Sequence, residues 1–300
     1  MATVATVIVD ARVRLPESVR PAAAHEAAVE TREGYGAVFE NIPLDGMTPE
    51  ELTARMADAA VDHAVVHAEY EGGNDVADAL NEAVAALVAS APDRFSGVGT
   101  VDLARLDVAR AQRQLDRCVE LGLLGVNIQP AFFDLDLDDP RLFAIYAGAA
   151  ERDLVLAVHT GINYGRGHLF DHEHPRRLDR VATWLPQLRI VAMHAGWPWA
   201  AEYVAVARKH EQVMLEFGGI APKYLGKAGS GWEVTRQYIG TVLSDQAMFA
   251  TDWPVMSLER VLGEWRALGL KDEVLKKVLG GNARRFFRLD DAPVPGRTAR

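Results

Sequence analysis

Short β-branched segments alternate with longer stretches of helical periodicity through most of this 300-residue chain. Eight segments are typical of strands: TVIVDARV, HAVVHAE, SGVGTVD, LGVNIQP, LVLAVHTG, RIVAMHAG, VMLEFGG and MFATDWP. An amphipathic stretch separates each segment from the next, which requires parallel pairing through right-handed crossovers. Eight such units in this length favour a closed (β/α)8 barrel, a TIM barrel forming a single α/β domain, over an open doubly wound sheet.

Helix boundaries are marked in several of the amphipathic stretches. TPEE at 48–51 begins one helix with a capping-box pattern and a proline at the first helical position. Asn74 is a good N-cap for the next helix, which stops before Pro92, and Gly122 is typical of the residue that follows a helix end. No glycine-rich phosphate-binding motif follows any strand, which argues against a nucleotide-binding fold.

Two segments lie outside the rhythm of the barrel. Residues 17–47 form a long connection between the first strand and the first helix, on the face where barrel active sites lie. We expect this connection to act as a lid or as a wall of the substrate site. Residues 289–300 are polar and contain prolines, which predicts a flexible tail. We therefore assign residues 1–288 to the barrel domain.

Composition and charge narrow the choice of partners and compartment. A net charge of −10 argues against a nucleic-acid or anionic-membrane partner. The single cysteine, Cys118, lies in a helical pattern and cannot form an internal disulfide, which fits a reducing compartment. Residues 1–9 carry no basic segment and no apolar run reaches about 18 residues, so we expect no signal peptide, no membrane span and a cytoplasmic protein. The sequence is also compatible with a homo-oligomer.

Polar side chains collect at the carboxyl ends of the predicted strands, where barrel enzymes hold their reactive groups. They are Asp10, Arg12, Arg14, His67, Asn127, Gln129, His159, His194, Glu216 and Asp252. Taken singly, each histidine could be a buried structural residue and Asp252 a helix cap. Taken together, His159, His194 and Asp252 put two imidazoles and a carboxylate around one axis, which suits metal ligation or acid–base chemistry.

Five motifs carry a resemblance to a known family, from Val7 to about Arg288. They are VDARVRLP, DPRLFAIYAGAAERDLVLAVHTG, HPRRLDRVATWLPQLRIVAMHAGWPW, MFATDWPVMSLERVL and VLGGNARRFF. In this combination the chain resembles the amidohydrolase superfamily, in the amidohydrolase-related branch that includes aminocarboxymuconate-semialdehyde decarboxylase, γ-resorcylate decarboxylase and pyrone-dicarboxylate lactonase. The resemblance implies a barrel enzyme with His159, His194 and Asp252 in its active site.

The first strand departs from the pattern of that family. Where the family has His-x-His, or Glu-x-His in some decarboxylases, this chain has Arg12-Val13-Arg14. Period-two alternation predicts that the valines and alanine at odd positions 7–13 pack against the helices, while Asp10 and the two arginines point to the barrel axis. An alternative is that Arg14 reaches solvent at the rim and Arg12 alone is functional.

The two arginines oppose a metal site. Arginine keeps its proton in proteins, and two guanidinium groups about 5–6 Å from a divalent ion would destabilise that ion by several kcal/mol. We therefore expect no cofactor, and the alternative is zinc or manganese held by His159, His194 and Asp252. Buried guanidinium groups also need partners, for which Asp10, Glu216 and Asp252 are internal candidates and a substrate carboxylate is the other.

Two further groups of residues are ambiguous. His168, His172 and His174 share one loop, and we interpret them as surface polar residues because their spacing matches no metal-ligand motif. Aromatic residues near the strand ends could line a pocket for a planar substrate or fill the interface between helices and barrel. These aromatic residues are Trp197, Trp199, Trp232, Trp253, Phe132 and Phe133.

Three functions are compatible with these residues. The first is a hydrolase of a small carboxylated lactone or ring compound, in which Asp252 is the general base and His159 and His194 polarise the carbonyl or move protons. Its substrate-binding residues would be Arg12, Arg14, Asn127 and Trp199. The second is a non-oxidative decarboxylase or hydratase of the same branch, in which Asp252 protonates carbon or handles water. The third is a catalytically inactive barrel used for binding, against which the joint retention of the two histidines and Asp252 argues.

Overall fold

Eight parallel strands form the centre of the structure, a computed structural model that describes residues 7–27, 47–70, 76–163 and 167–289. They are β1 (Val9–Arg14), β2 (His63–His67), β3 (Phe95–Val98), β4 (Gly125–Ile128), β5 (Val155–Val158), β6 (Ile190–Ala192), β7 (Val213–Glu216) and β8 (Ala247–Met248). Continuous ladders join β1 to β3 and β4 to β8 in chain order.

Two short junctions close these ladders into a ring. Gly99, which follows β3, pairs in parallel with Val126 of β4, and the Asn127 N–H donates to the Gly99 carbonyl at 2.7 Å. On the other side Val13 of β1 pairs in parallel with Trp253, and the Arg14 N–H donates to the Trp253 carbonyl at 2.9 Å. The predicted (β/α)8 barrel is therefore confirmed.

Helices surround the barrel in the described ranges. They are α1 (Ala22–Ala27), α2 (Pro49–Asp58), α3 (Ala77–Ser90), α4 (Val108–Glu120), α5 (Pro140–Glu151), α6 (Pro175–Trp184), α7 (Ala200–Lys209), α8 (Glu233–Ile239), α9 (Leu258–Ala267), α10 (Asp272–Lys276) and α11 (Asn282–Phe287). The Thr48 side chain caps α2 by accepting from the Glu51 N–H at 3.1 Å, as predicted. Gly122 follows the end of α4 with φ +71°, also as predicted. Asn74 lies outside the described residues.

The two faces of the strands pack into two hydrophobic layers. Alternate positions such as Val66, Leu156 and Leu215 pack outward against the helices. The other positions fill the interior of the barrel, and they include Val65, Val155, Val191, Met214 and Met248. Phe286 and Phe287 of α11 join this interior cluster, and α11 is tied to the amino end of the barrel by Arg189, which precedes β6 and donates to the Phe286 carbonyl. The carboxyl ends of the strands are left for the site.

A β-bulge in β1 changes the predicted alternation. Asp10 pairs with Ala64 and Val13 pairs with Val66, so three steps in β1 match two in β2. Val9 and Ala11 therefore belong to the interior cluster, whereas Val13 packs against the helices. The prediction that these three residues share the helix-facing side is wrong, because the inserted residue reverses the phase of the strand.

Parts of the two irregular segments are described. Residues 17–47 begin with a 3-10 turn at Glu17–Val19 and continue into α1, and 28–46 lie outside the described residues. The predicted tail falls outside them as well, from residue 290 onward. In the four described ranges, no helix has the length and apolar character needed to cross a membrane.

Gly125 of β4 lies where the sheet has no room for a side chain. A Cβ there would be 2.3 Å from the Val155 carbonyl oxygen and 2.9 Å from the Val155 Cβ. Because backbone cannot yield easily, Gly125→Ala should lower the free energy of unfolding by about 1–3 kcal/mol, the usual cost of overpacking. Denaturant unfolding measures this change, and an unaltered midpoint would contradict the tight contact between β4 and β5.

A matched glycine provides the control for that measurement. Gly263 lies on the exposed side of α9, and a Cβ there meets nothing within 4 Å. Gly263→Ala should leave the protein unchanged or stabilise it by up to about 1 kcal/mol, because alanine favours the helix.

Candidate active site

Arg12 lies at the carboxyl end of the barrel among three carboxylates. Its Nη1 is 2.6 Å from Glu69 Oε1 and 2.8 Å from Asp252 Oδ1. Its Nε is 3.5 Å from Glu216 Oε2. Burial opposes the charge on Arg12, but Asp252, Glu216 and Glu69 outweigh burial and raise the pKa of the guanidinium. Arg12 is therefore a fixed positive charge in the barrel interior.

Arg14 extends the same network toward the rim. Its Nε and Nη2 donate to the two oxygens of Asp252 at 2.8 and 3.2 Å, and its Nη1 is 2.8 Å from Glu69 Oε2. Only 8% of Arg14 is exposed, against 1% of Arg12. The alternative in which Arg14 reaches solvent is therefore wrong.

Three carboxylates surround the two arginines. Two guanidinium groups face Glu69, Glu216 and Asp252, all of which are buried. Asp10 is not among these partners: its carboxylate accepts from the Thr251 N–H and hydroxyl and from the Arg12 backbone N–H. The predicted pairing with Glu216 and Asp252 is observed, while pairing with Asp10 is wrong because the bulge turns Asp10 to the other side of the strand.

Asp252 is held by both its backbone and its side chain. It follows β8 in a left-handed conformation, φ 55°, which non-glycine residues adopt rarely and at a cost. Its N–H donates to the Arg12 carbonyl at 3.0 Å, and guanidinium nitrogens contact both of its carboxylate oxygens. The carboxylate is thus committed to the two arginines.

His194 has a fixed tautomer. Its Nδ1 lies 2.7 Å from the Gly218 carbonyl, which can only accept, so Nδ1 carries the proton. Its Nε2 then accepts from Arg12 Nη2 at 3.2 Å. Burial first and the charge of Arg12 second lower the pKa of His194 well below its ordinary value. The ring is neutral and both nitrogens are occupied.

His159 forms a different kind of pair. Its Nδ1 donates to Glu173 Oε1 at 2.7 Å, and its ring lies edge-on to that of His194, with centroids 4.8 Å apart. Glu173 is in a 3-10 turn (Phe170–Glu173) before α6, and it is anchored by the Tyr203 hydroxyl, which donates to its carbonyl at 2.7 Å. Among the described residues, none bonds His159 Nε2. His159 is therefore oriented for proton transfer through that nitrogen.

His67 and Asn127 form a second ordered pair in the interior. His67 Nε2 donates to the Ala11 carbonyl at 3.2 Å, so its Nδ1 can only accept, and it accepts from Asn127 Nδ2 at 3.4 Å. Burial, and then the charge of Arg12, lower the pKa of His67 to about 3. These bonds leave Asn127 Oδ1 buried without a partner among the described residues. Asn127 is therefore an acceptor inside the barrel.

The remaining predicted residues make their contacts outside the arginine network. Trp199 precedes α7, and its ring packs at a tilt against those of Phe170 and His174, with centroids 4.3 and 5.1 Å away. The loop histidines pair with acids: His168 with Asp134, and His172 with Asp136. His172 is buried, so its interpretation as a surface residue is wrong. Nothing in these contacts brings Trp199 to the arginine network.

Two acidic residues of the site were missed from the sequence. Glu69 continues the alternation of Val65 and His67 beyond the end of β2, and extending that alternation by two residues would have found it. Glu173 comes from a loop 14 residues beyond His159, and no local pattern marks it.

The side chains that could ligate a divalent cation do not fit one here, because the arginines already occupy the ligand atoms of His194 and Asp252. His194 Nε2 faces a guanidinium nitrogen, and both oxygens of Asp252 are bonded to guanidinium groups. Within the described ranges, no group of three His, Cys, Asp or Glu residues is arranged to hold a metal ion. The positions of strand 1 that would supply two ligands instead supply two positive charges.

Replacing Arg12 should destabilise the protein strongly. Arg12→Gln leaves Glu69, Glu216 and Asp252 with Arg14 alone, and breaking a buried ion pair in this way costs about 3–5 kcal/mol. The loss should be smaller at pH 5 than at pH 8, because burial already raises the pKa of Glu216 and the freed carboxylate can take up a proton. Thermal unfolding at both pH values measures this. The control is Arg117→Gln, which removes an exposed arginine paired with Glu82 and should leave the midpoint unchanged.

Asp10 should make stability depend on pH. Burial raises the pKa of Asp10 from 3.8 to about 7. The protonated carboxyl therefore makes its full contribution to the free energy of unfolding below pH 3.8, and this contribution is lost as the pH rises to about 7. Asp10→Asn keeps the shape and lacks this titration. The variant should therefore gain stability relative to the wild type between pH 5 and pH 8. Parallel melting temperatures across that range would contradict the raised pKa.

Comparisons with known proteins identify the family of the chain. A model of the amidohydrolase family matches residues 9–289. The chain is 24% identical over 246 residues to 2-amino-3-carboxymuconate-6-semialdehyde decarboxylase of Dictyostelium discoideum, covering 72% of this chain and 67% of that protein. It is 25% identical over 271 residues to γ-resorcylate decarboxylase of Rhodococcus jostii, covering 74% and 79%.

Solved structures share the fold over nearly the whole chain. A TIM-barrel protein from Bordetella bronchiseptica is 26% identical, with a TM-score of 0.77 and coverage of 94% of this chain and 98% of that one. The 5-carboxyvanillate decarboxylase of Sphingomonas paucimobilis is 21% identical, with a TM-score of 0.71 and coverage of 95% and 99%. A dihydroxybenzoic acid decarboxylase from a Polaromonas species, solved with bound manganese, is 17% identical, with a TM-score of 0.68 and coverage of 97% and 98%. The motifs, the barrel and the family match agree, and the chain belongs to the amidohydrolase family.

Proposed function

We propose that this protein is a decarboxylase, a lyase that removes the carboxylate of a small planar substrate without using a divalent metal. Both curated relatives described above are named as decarboxylases. Their names favour the second function considered from the sequence over the first, the hydrolase. The observation that carries the proposal is the His159–Glu173 pair, whose histidine ring lies against His194, which in turn accepts from Arg12.

The arginines supply the charge that binds the substrate. Arg12 and Arg14 present two guanidinium groups at the carboxyl end of the barrel, and this group recognises a carboxylate through paired N–H donors. Arg14 is the more exposed of the two and so the one that faces an entering ligand. We therefore assign the substrate carboxylate to Arg14, with Arg12 behind it.

The His159–Glu173 pair supplies the proton. A protonated His159, paired through Nδ1 with Glu173, donates from Nε2 to the carbon that bears the carboxylate. The bond between that carbon and the carboxylate then breaks, its electron pair stays with the substrate carbon framework, and CO2 leaves. His159 regains its proton from solvent. The net reaction consumes the substrate carboxylate and one proton and yields the decarboxylated product and CO2.

Asp252 has a positioning role in this proposal. Both of its oxygens accept from Arg14, and Arg12 contacts one of them as well. A base that activates water needs a lone pair directed at that water, and here the guanidinium groups take the favourable directions. The hydrolase with Asp252 as its base is the second candidate, supported by the family itself.

Replacing His159 tests the proposal. His159→Asn should reduce turnover at least about 100-fold, because the proton donor is lost, and Glu173→Gln should reduce it less, because only the orientation of the ring is weakened. The assay follows CO2 release from 2,6-dihydroxybenzoate, 5-carboxyvanillate and related carboxylates, with and without a chelator. Activity should persist when divalent metal is removed.

A second histidine provides the matched control. His210 Nε2 pairs with Asp179 Oδ1 at 2.8 Å, which joins α6 to the end of α7 outside the strand barrel. His210→Asn should therefore leave turnover unchanged. Opening of a lactone without CO2 release would favour the hydrolase instead. Activity that a chelator abolishes and manganese restores would overturn the metal-independent reaction.

A further inference from the structure

We infer that Glu69 occupies, as an internal carboxylate, the position that the substrate carboxylate takes, and that binding displaces Glu69 from the two arginines. This inference rests on the proposed function, because it assumes a carboxylated substrate. It assigns to Glu69 the role of a residue that sets the affinity and selectivity of the site.

The contacts of Glu69 are those of a bound carboxylate. One oxygen lies 2.6 Å from Arg12 Nη1 and the other lies 2.8 Å from Arg14 Nη1, so a single carboxylate bridges both guanidinium groups. The contact with Arg12 is a charge-assisted hydrogen bond, and the contact with Arg14 is an ion pair. A substrate carboxylate aimed at the same pair therefore meets Glu69 first.

The other two acids of the network are built into the barrel. Glu216 ends β7, where its Oε1 accepts from the Gly218 N–H at 2.5 Å and its Oε2 accepts from the His194 N–H at 3.2 Å. Asp252 is tied to β1 through the Arg12 carbonyl. Moving the Glu216 carboxylate would break its bonds to two backbone N–H groups. Moving the Asp252 carboxylate would break two hydrogen bonds from Arg14.

Glu69 is placed differently. It lies two residues beyond the end of β2, and its own carbonyl accepts from Arg20 Nη2 at 3.2 Å, in the segment that follows β1. A change of its side-chain rotamer leaves the strand ladders unbroken. We therefore take Glu69, which lies beyond the end of its strand, as the acid that the substrate carboxylate displaces.

Charge balance also favours an exchange. Two guanidinium groups already face three buried carboxylates. A substrate carboxylate that entered without displacing one of them would place a fourth negative charge in a poorly hydrated space, which is costly. If the substrate carboxylate replaces Glu69, the number of negative charges that face the arginines stays at three. Small anions that make few other contacts would compete poorly with Glu69, and a substrate with an extended planar body would compete well.

Benzoate binding tests the inference without relying on turnover. Glu69→Gln removes the competing charge, so titration calorimetry should show benzoate binding at least about tenfold tighter than in the wild type. Benzamide, which has the same ring and no charge, should bind equally to both proteins. Unchanged or weaker benzoate binding to the folded variant would overturn the inference.

Two further variants make the test decisive. Glu216→Gln removes a buried carboxylate that also contacts Arg12, and it should not tighten benzoate binding if position, rather than charge alone, matters. Equal tightening by both variants would overturn the inference.

If Glu69→Gln does not fold, Glu69→Asp provides the test. This variant keeps the charge but shortens the reach to both arginines, so it should tighten benzoate binding to a smaller degree. No tightening by Glu69→Asp would contradict displacement. Tighter benzoate binding with no CO2 release from any carboxylate would support the inference while the proposed reaction failed.

Discussion

The buried network of Arg12, Arg14, Glu69, Glu216 and Asp252 is the constraint on which the site depends. Desolvating five charged groups is expensive, and well-packed apolar residues in their place are often neutral or stabilising. Stability therefore gives no reason for such a network in a barrel interior. The network lies at the carboxyl ends of the strands, where barrel enzymes carry out chemistry, and this position indicates a functional reason for it. The two arginines also order groups around the network, because His194 accepts from the Arg12 side chain and the backbone after β8 bonds to the backbone of both arginines.

The bulge in β1 lets one strand supply two neighbouring functions. Val9 and Ala11 fill the interior at the amino end, and the inserted residue then allows Arg12 and Arg14 to face the same interior at the carboxyl end. Without the bulge, either the valine and alanine or the arginines would have pointed at the helices. Asp10, turned to the other side, is retained by its bonds to Thr251 and stays buried. A single extra residue thus separates the packed half of the strand from the charged half.

Much of the barrel was predictable because its signals are local. Eight β-branched segments between amphipathic stretches determine parallel pairing, and alternation along each strand places His159, Glu216 and Asp252 inward. The bulge was not predictable, since an inserted residue leaves no mark on composition or period. Glu173 could not be found either, because its contact with His159 is made through a loop. Glu69 is different, because extending the alternation of Val65 and His67 beyond the end of β2 would have placed it beside the arginines.

Two guanidinium groups in place of a metal change what the site can do. A divalent ion offers positive charge together with open coordination positions, whereas guanidinium offers charge and directed N–H donors but cannot polarise a bound water into hydroxide. Chemistry that needs a metal-bound nucleophile is therefore disfavoured here. In the reaction proposed above, the arginines hold a substrate carboxylate, and His159 with Glu173 delivers the proton. The arginines of strand 1 are therefore one reason why we propose proton delivery to carbon, rather than hydrolysis by an activated water, as the reaction of this site.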